Sequence, residues 1–150
     1  MQKDRIGNDV RILSHQIHRW IENAPNKKNI DSVTGANAWI IGYISDKTDN
    51  NEDVFQKDLE KCFEITRSTA SKVVNLMVEK GLIERQSVPW DARLKKLVLT
   101  DRAKAVNKLM IEDFTEVETI LSKGFSEQEL EQFFDYVHRM QKNMKEATTR

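Results

Sequence analysis

The sequence predicts a mainly α-helical protein with one small β-hairpin. Its 150 residues include only five glycines and two prolines, too few for the many turns of an all-β protein. Apolar residues recur at spacings of three and four along most of the chain, which is the pattern of amphipathic helices. Hydrophobic residues make up 39% of the sequence and charged residues 32%, so the chain has enough apolar surface to fold. Its length suits a single domain.

Two helices are predicted in the first third of the chain. Over residues 5–23, apolar side chains from Ile6 to Ile21 lie on one stripe, and the opposite face is polar. Pro25 lies in a break that ends this periodicity. The next helix is predicted over residues 34–46, where apolar residues surround the helical wheel, as burial on all sides requires.

The middle of the chain predicts two short helices and then a hairpin. The first helix covers residues 56–63 and the second residues 66–80, with Thr66 as its N-cap and Gly81 just beyond its C-terminus. The hairpin follows at once. Its β-prone strands are predicted at 82–87 and 95–99, and they pair across a polar loop over 88–94.

Two long helices are predicted at the end of the chain. Thr100 is the N-cap of the first, with Asp101 complementing the helix dipole. Ser126 and Glu129 have the spacing of a capping box, which predicts the start of the last helix. Apolar residues between Leu130 and Met144 form one stripe along that helix.

A helix, a tight turn, a second helix and a β-hairpin are, in that order, the elements of a winged helix-turn-helix. In this fold the second helix enters the major groove of DNA. The outward face of the 66–80 helix suits that role, because it has no acid before Glu79 and offers small hydroxyls, an amide and cations. The residues predicted to bind the major groove are Arg67, Ser68, Thr69, Ser71, Lys72 and Asn75.

Charge is unevenly distributed, although 24 basic residues balance 24 acidic ones. Residues 61–108 contain eleven Lys and Arg but only five Asp and Glu, so this part of the chain is basic and the remainder is acidic. A basic surface can displace counterions from phosphate. The alternative is an ordinary solvated face, because charge runs are common on protein surfaces.

Two segments resemble the multiple antibiotic resistance regulator (MarR) family. They are residues 66–85, TRSTASKVVNLMVEKGLIER, and residues 91–100, DARLKKLVLT, whose Asp-x-Arg and final Leu-Thr are the distinctive features. The resemblance implies a homodimeric transcription regulator, and most members of the family are repressors. Its first and last helices would interlock as the dimer interface while two winged domains grip a pseudopalindrome. It also implies that Arg93 reaches the minor groove and that Asp91 helps to hold it.

Dimerisation is also indicated by the two apolar stripes, which exceed what a compact winged domain needs to bury. A second subunit would cover them, or they would pack inside one subunit. We expect one domain in which residues 1–33 and 101–150 form the dimerisation helices and residues 34–100 bind DNA. A two-fold dimer would place its recognition helices about 34–36 Å apart, which predicts an inverted-repeat operator in double-stranded DNA.

A small-molecule effector site is implied by the resemblance. The family commonly binds aromatic or amphipathic anions between the dimerisation helices and the winged domain, and this binding changes DNA affinity. His18, Trp39 and Tyr43 are the candidate lining residues. The alternatives are that the two aromatic residues are ordinary core, and that this regulator has no effector.

We expect no catalytic activity, no cofactor and no bound metal. The glycines never form a phosphate-binding loop, and no Gly-x-Ser-x-Gly occurs. His15 and His18 lie one helical turn apart, but a zinc site needs further ligands, and the sequence suggests none. A surface or interface role is the ordinary interpretation of such histidines, with a protonation switch as the alternative.

Cys62 and Trp90 each have two possible environments. Cys62 falls on the apolar face of its helix, which predicts a buried, inert thiol rather than a redox sensor. Trp90 lies beside the tip of the wing, where it would pack on sugar edges of DNA or fold back onto the wing base. We predict that it folds back, because an exposed indole leaves much apolar area in water.

The sequence predicts a cytoplasmic protein without a membrane span. Its longest apolar run, residues 38–44, is far shorter than the ~20 residues that cross a bilayer. The N-terminus does not resemble a secretory signal, and a single cysteine agrees with a reducing compartment. The predicted function is DNA-binding repression. The alternative is a winged-helix protein-interaction module without sequence-specific DNA binding.

Overall fold

The computed structural model describes residues 4–27, 30 and 36–149, and within them the chain is mainly helical with one β-hairpin. The predicted fold class is confirmed. The helices are α1 (Ile6–Glu22), α2 (Ala36–Asp49), α3 (Gln56–Cys62), α4 (Arg67–Glu79), α5 (Asp101–Ser122) and α6 (Glu127–Thr148). The strands are β1 (Ile83–Val88) and β2 (Asp91–Leu99). The predicted start of the second helix, at residue 34, lies outside the described residues.

The chain divides into two compact units, Met1–Phe114 and Thr115–Arg150. The first unit contains the hydrophobic core, which α2, α3, α4, both strands and the first half of α5 build together. Leu59, Val74 and Met77 are fully buried there and fix one face of α3 and α4 inward. The opposite face of α4 is therefore left to solvent.

Local hydrogen bonds set the tight turn between α3 and α4. Glu64 has a left-handed backbone with φ of 51°, and the Ile65 amide donates to the Glu60 carbonyl over 3.1 Å. The Thr69 amide donates to Thr66 Oγ1 over 3.2 Å, which makes Thr66 the N-cap of α4 as predicted. The two helices are thus fixed at a short, closed junction.

Gly81 ends α4 and turns the chain into the wing. Its φ of 70° lies in the left-handed region, which glycine adopts at little cost. Thr100 Oγ1 donates to the Gly81 carbonyl over 2.6 Å, and Arg102 Nη1 donates to the Lys80 carbonyl over 2.6 Å. The end of α4 is therefore fastened to the start of α5.

The wing is a longer hairpin than the sequence predicts. The strands pair from Ile83 with Leu99 to Val88 with Asp91, so only Pro89 and Trp90 form the turn. The predicted loop over 88–94 was wrong, because Val88 is buried and a register shift between Ser87 and Val88 lets β1 and β2 pair further outward.

Exposed apolar side chains characterise α1 in the first unit and, separately, α6 in the second. Neither helix has a single buried residue among those described. The predicted capping box at the start of α6 is present, with the Ser126 amide donating to Glu129 Oε2 over 2.7 Å. The large exposed apolar residues are Ile6, Val10, Ile12 and Leu13 of α1, and Phe133, Phe134, Tyr136, Met140 and Met144 of α6.

No described helix is both long and apolar enough to span a membrane. The described residues also contain no group of three or more His, Cys, Asp or Glu arranged to hold a metal ion.

Candidate nucleic-acid interface

The outward face of α4 forms a polar ridge. Among the residues predicted to bind the major groove, Arg67, Ser68, Thr69, Lys72 and Asn75 are exposed. Ser71 is half-buried on the flank of the helix, because it lies nearer to the buried stripe. We call the exposed set the α4 ridge.

Hydroxyl groups are held together at the first turn of the α4 ridge. Thr66 Oγ1 donates to Thr69 Oγ1 over 2.9 Å and lies 3.2 Å from Ser68 Oγ. The first turn of α4 contains no acidic side chain. Small polar groups, free backbone amides and the positive end of the helix dipole are features that favour a phosphate at this place.

Sequence reasoning missed two residues beside the ridge. Leu76 is 49% exposed, and its place four residues after Lys72 is a periodicity signal that would have found it. Arg85 of β1 is the other, and its Nη2 donates to Asn75 Oδ1 over 2.6 Å. No local pattern predicts that contact, because it depends on how the wing packs beside α4.

The Arg85 bond changes the chemistry available to Asn75. Bidentate recognition of adenine uses both the carbonyl oxygen and the amino group of an asparagine side chain. In this structure the oxygen already accepts a charge-assisted hydrogen bond. This bond therefore orients the Arg85 guanidinium toward Asn75.

At the wing, Asp91 and Arg93 lie together as the resemblance implied. Asp91 Oδ1 accepts a hydrogen bond from the Arg93 amide over 2.9 Å, and Arg93 Nε lies 3.5 Å from the same oxygen. The Arg93 side chain is 93% exposed and extends from the wing. The prediction that Trp90 folds back was wrong: it is 65% exposed, because the two-residue turn leaves it at the tip of the hairpin.

A cleft of about 600 Å³ lies between α3, the start of α4 and the wing. Most of the charged side chains that line it are basic, and Glu60 is the one acid among the described lining residues. Because the α4 ridge and the wing border the same concave surface, a polyanion could contact both. The basic lining residues are Lys57, Arg67, Arg85, Arg93 and Lys95.

A second cavity, of about 220 Å³, lies within the first unit between α1, α2 and α5. His18 and Trp39 line it, and the Trp39 ring centroid lies 6.4 Å from that of Phe114. Its polar groups are largely paired, since Lys27 Nζ lies 3.4 Å from Glu22 Oε1. Trp39 is 69% exposed and is not a core residue.

Tyr43 is not a lining residue of this cavity. Its ring packs edge-on against Phe63, with centroids 5.9 Å apart. Burial, with a smaller contribution from Asp58, raises the pKa of the Tyr43 phenol, which therefore stays neutral in the physiological range.

Cys62 is exposed, so the predicted buried thiol was wrong. It is the last residue of α3, where Leu59 takes the buried position of that helix turn.

A helix-turn-helix followed by a hairpin wing, with cations on both, defines a winged helix DNA-binding protein. The model of the MarR family matches residues 32–94. That segment, which contains the helix-turn-helix and most of the wing, is similar to the MarR family of transcription regulators, as the sequence suggested. The family and the fold are those of transcription regulators, not of enzymes.

Similar proteins match nearly the whole chain in fold or in sequence. The transcription regulator MarR from Oenococcus oeni PSU-1 is 28% identical with a TM-score of 0.73, covering 92% of this chain and 99% of that one. The S. aureus MepR–DNA complex is 22% identical with a TM-score of 0.82, covering 96% and 99%. An uncharacterized HTH-type transcriptional regulator of Bacillus subtilis (strain 168), YybA, is 22% identical over 139 residues, which are 91% of this chain and 89% of that one.

Proposed function

We propose that this chain is a homodimeric repressor that binds an inverted-repeat operator. Its α4 ridge enters the major groove, and Arg93 of the wing enters the minor groove. The observation that carries the proposal is the basic cleft, in which Arg67 at the start of α4, Arg85 of β1 and Arg93 of β2 line one concave surface. The similar MepR structure is a DNA complex, which supports the same use of the fold.

Two-fold association follows from the exposed apolar side chains. Ile6 of α1 is 63% exposed and Met144 of α6 is 68% exposed, and burying such residues is favourable. A second copy of the chain is the occupant we propose, with residues 1–33 and 101–150 as the dimerisation helices and 34–100 as the DNA-binding part. The two recognition helices then lie about 34–36 Å apart and select a repeated, inverted half-site.

Repression follows when the bound dimer blocks polymerase at a promoter. This activity requires the cytoplasmic compartment in which operator DNA lies. The sign of regulation is tested with a reporter gene under a promoter that contains the selected operator. Lower reporter output in the presence of the protein supports repression, and higher output overturns it.

DNA binding is tested by selecting duplexes from a random library and titrating the strongest one by gel shift. A dimer with 6–10 phosphate contacts loses about 10³–10⁵ in affinity between 50 and 200 mM salt. We expect such a fall for the selected duplex and much weaker binding to a shuffled duplex of equal length. Binding without sequence preference would instead favour the protein-interaction module.

An effector site is supported by the 220 Å³ cavity, which His18 and Trp39 line. Its volume is below that of most drug-sized pockets, so we propose a small aromatic or amphipathic molecule that releases the operator. A thermal-shift screen with phenolic and short fatty ligands tests this. A ligand should raise the melting temperature of the wild-type protein but not of Trp39→Ala. No shift with any ligand would favour a regulator without an effector.

A further inference from the structure

The tip of the wing presents an exposed indole. Trp90 is 65% exposed, although tryptophan is highly buried on average in folded proteins. It is the largest side chain of the two-residue turn, and its neighbour in the turn, Pro89, is exposed as well. Most of the surface of this residue is therefore left uncovered by the described part of the chain.

The backbone that carries Trp90 is held firmly. Proline fixes the φ angle of residue 89, and the pairing of Val88 with Asp91 closes the hairpin directly behind the turn. Val88 is 5% exposed and anchors β1. Asp91 accepts the hydrogen bond from the Arg93 amide, so Trp90 and Arg93 project from the same short, braced segment. Little conformational freedom remains to be lost when this segment binds.

The charges around the indole are those of a surface that contacts nucleic acid. Arg93, Lys95 and Lys96 follow within six residues of Trp90. The nearest acid, Asp91, is already paired with Arg93 at 3.5 Å. Apolar side chains that reach the minor groove meet deoxyribose edges and base steps, while neighbouring cations meet phosphates.

We propose that Trp90 is a further DNA contact, in which the indole packs against the deoxyribose edges of the minor groove beside Arg93. This inference rests on the proposed function. Trp90 adds apolar contact, and hence affinity that does not depend on counterion release. Arg93 adds charge. The contributions of the two residues to DNA affinity should therefore differ in their dependence on salt concentration.

The test compares Trp90→Ala, Trp90→Phe and Arg93→Ala on the selected duplex by fluorescence anisotropy at several salt concentrations. Trp90→Ala should weaken binding about tenfold, as loss of a well-packed aromatic anchor does, with the salt slope unchanged. Trp90→Phe should stay close to wild type because it retains an apolar ring. Arg93→Ala should lower the slope by about 0.9 per subunit.

Acrylamide quenching provides a second measurement, in which the Trp90→Phe variant is subtracted from the wild type to isolate the Trp90 signal. We expect the selected duplex to protect Trp90 from acrylamide. Unchanged affinity of Trp90→Ala, or an indole that stays accessible in the complex, would overturn the inference and leave the proposed function standing. A lower salt slope for Trp90→Ala would also overturn it, because the wing cations would then have moved. Failure of the wild type to bind any selected duplex would overturn the proposed function itself.

Discussion

The hydrogen bond between Arg85 Nη2 and Asn75 Oδ1 raises two possible roles for Asn75 on DNA, which are to contact an adenine or to position Arg85. At 2.6 Å the bond uses one of the two lone pairs of the amide oxygen that adenine recognition would also use. We expect Asn75 to act by holding Arg85 toward the basic cleft. Asn75→Ala should then weaken operator binding only through Arg85.

The expected magnitude follows from the type of bond and its exposure. Hydrogen bonds to charged groups contribute about 1.5–3 kcal/mol, and exposure of both side chains reduces this to about 1 kcal/mol. That is about fivefold in Kd for each subunit and about 25-fold for a dimer. Arg85→Ala should cost more, because it also removes a cation and lowers the salt slope by about 0.9 per subunit.

A double-mutant cycle measured by fluorescence anisotropy checks this coupling. The double variant of Asn75 and Arg85 should bind no more weakly than Arg85→Ala alone, within about twofold. The control cycle pairs Asn75→Ala with Lys72→Ala, and these effects should add because no hydrogen bond joins the two side chains. Additive losses in the Arg85 cycle, with relaxed preference at one adenine, would refute the positioning role.

Three further predictions concern the wing, the ridge and the core. Arg93→Ala should weaken operator binding at least tenfold with no change in melting temperature, because its side chain is 93% exposed; equal affinity in a gel shift would remove the wing from the mechanism. Lys72→Ala should reduce the salt slope by about 0.9 per subunit, and an unaltered slope would exclude a phosphate contact. Met77→Ala, at a fully buried position, should lower the free energy of unfolding by about 2–5 kcal/mol in a urea titration, and a loss below ~1 kcal/mol would contradict tight packing there.

The helices could be predicted from the sequence because their signals are local. Thr66 caps α4, and Ser126 and Glu129 cap α6, through contacts that span only three residues. The length of the wing could not be predicted in the same way. It depends on the burial of Val88 and on the register shift beside it, and no local pattern of residue types shows either of them.

In the candidate interface, too, features with a local signal could be predicted from the sequence and the others could not. Helical periodicity identified the exposed side of α4, because a buried stripe fixes the opposite face. Arg85 was missed, and the environments of Trp90 and Cys62 were predicted wrongly. The surroundings of a single side chain depend on what packs opposite to it, and the described chain leaves Trp90 and Cys62 mostly exposed.

Hydroxyl-radical footprinting of the selected duplex tests the central claim most directly, because it shows which deoxyriboses of both strands the bound protein protects. A dimer that grips both grooves should protect two blocks related by a dyad, with centres about one helical turn apart. The flanking minor-groove protections should disappear in Arg93→Ala. A single protected block, or flanks that survive the loss of Arg93, would contradict this account.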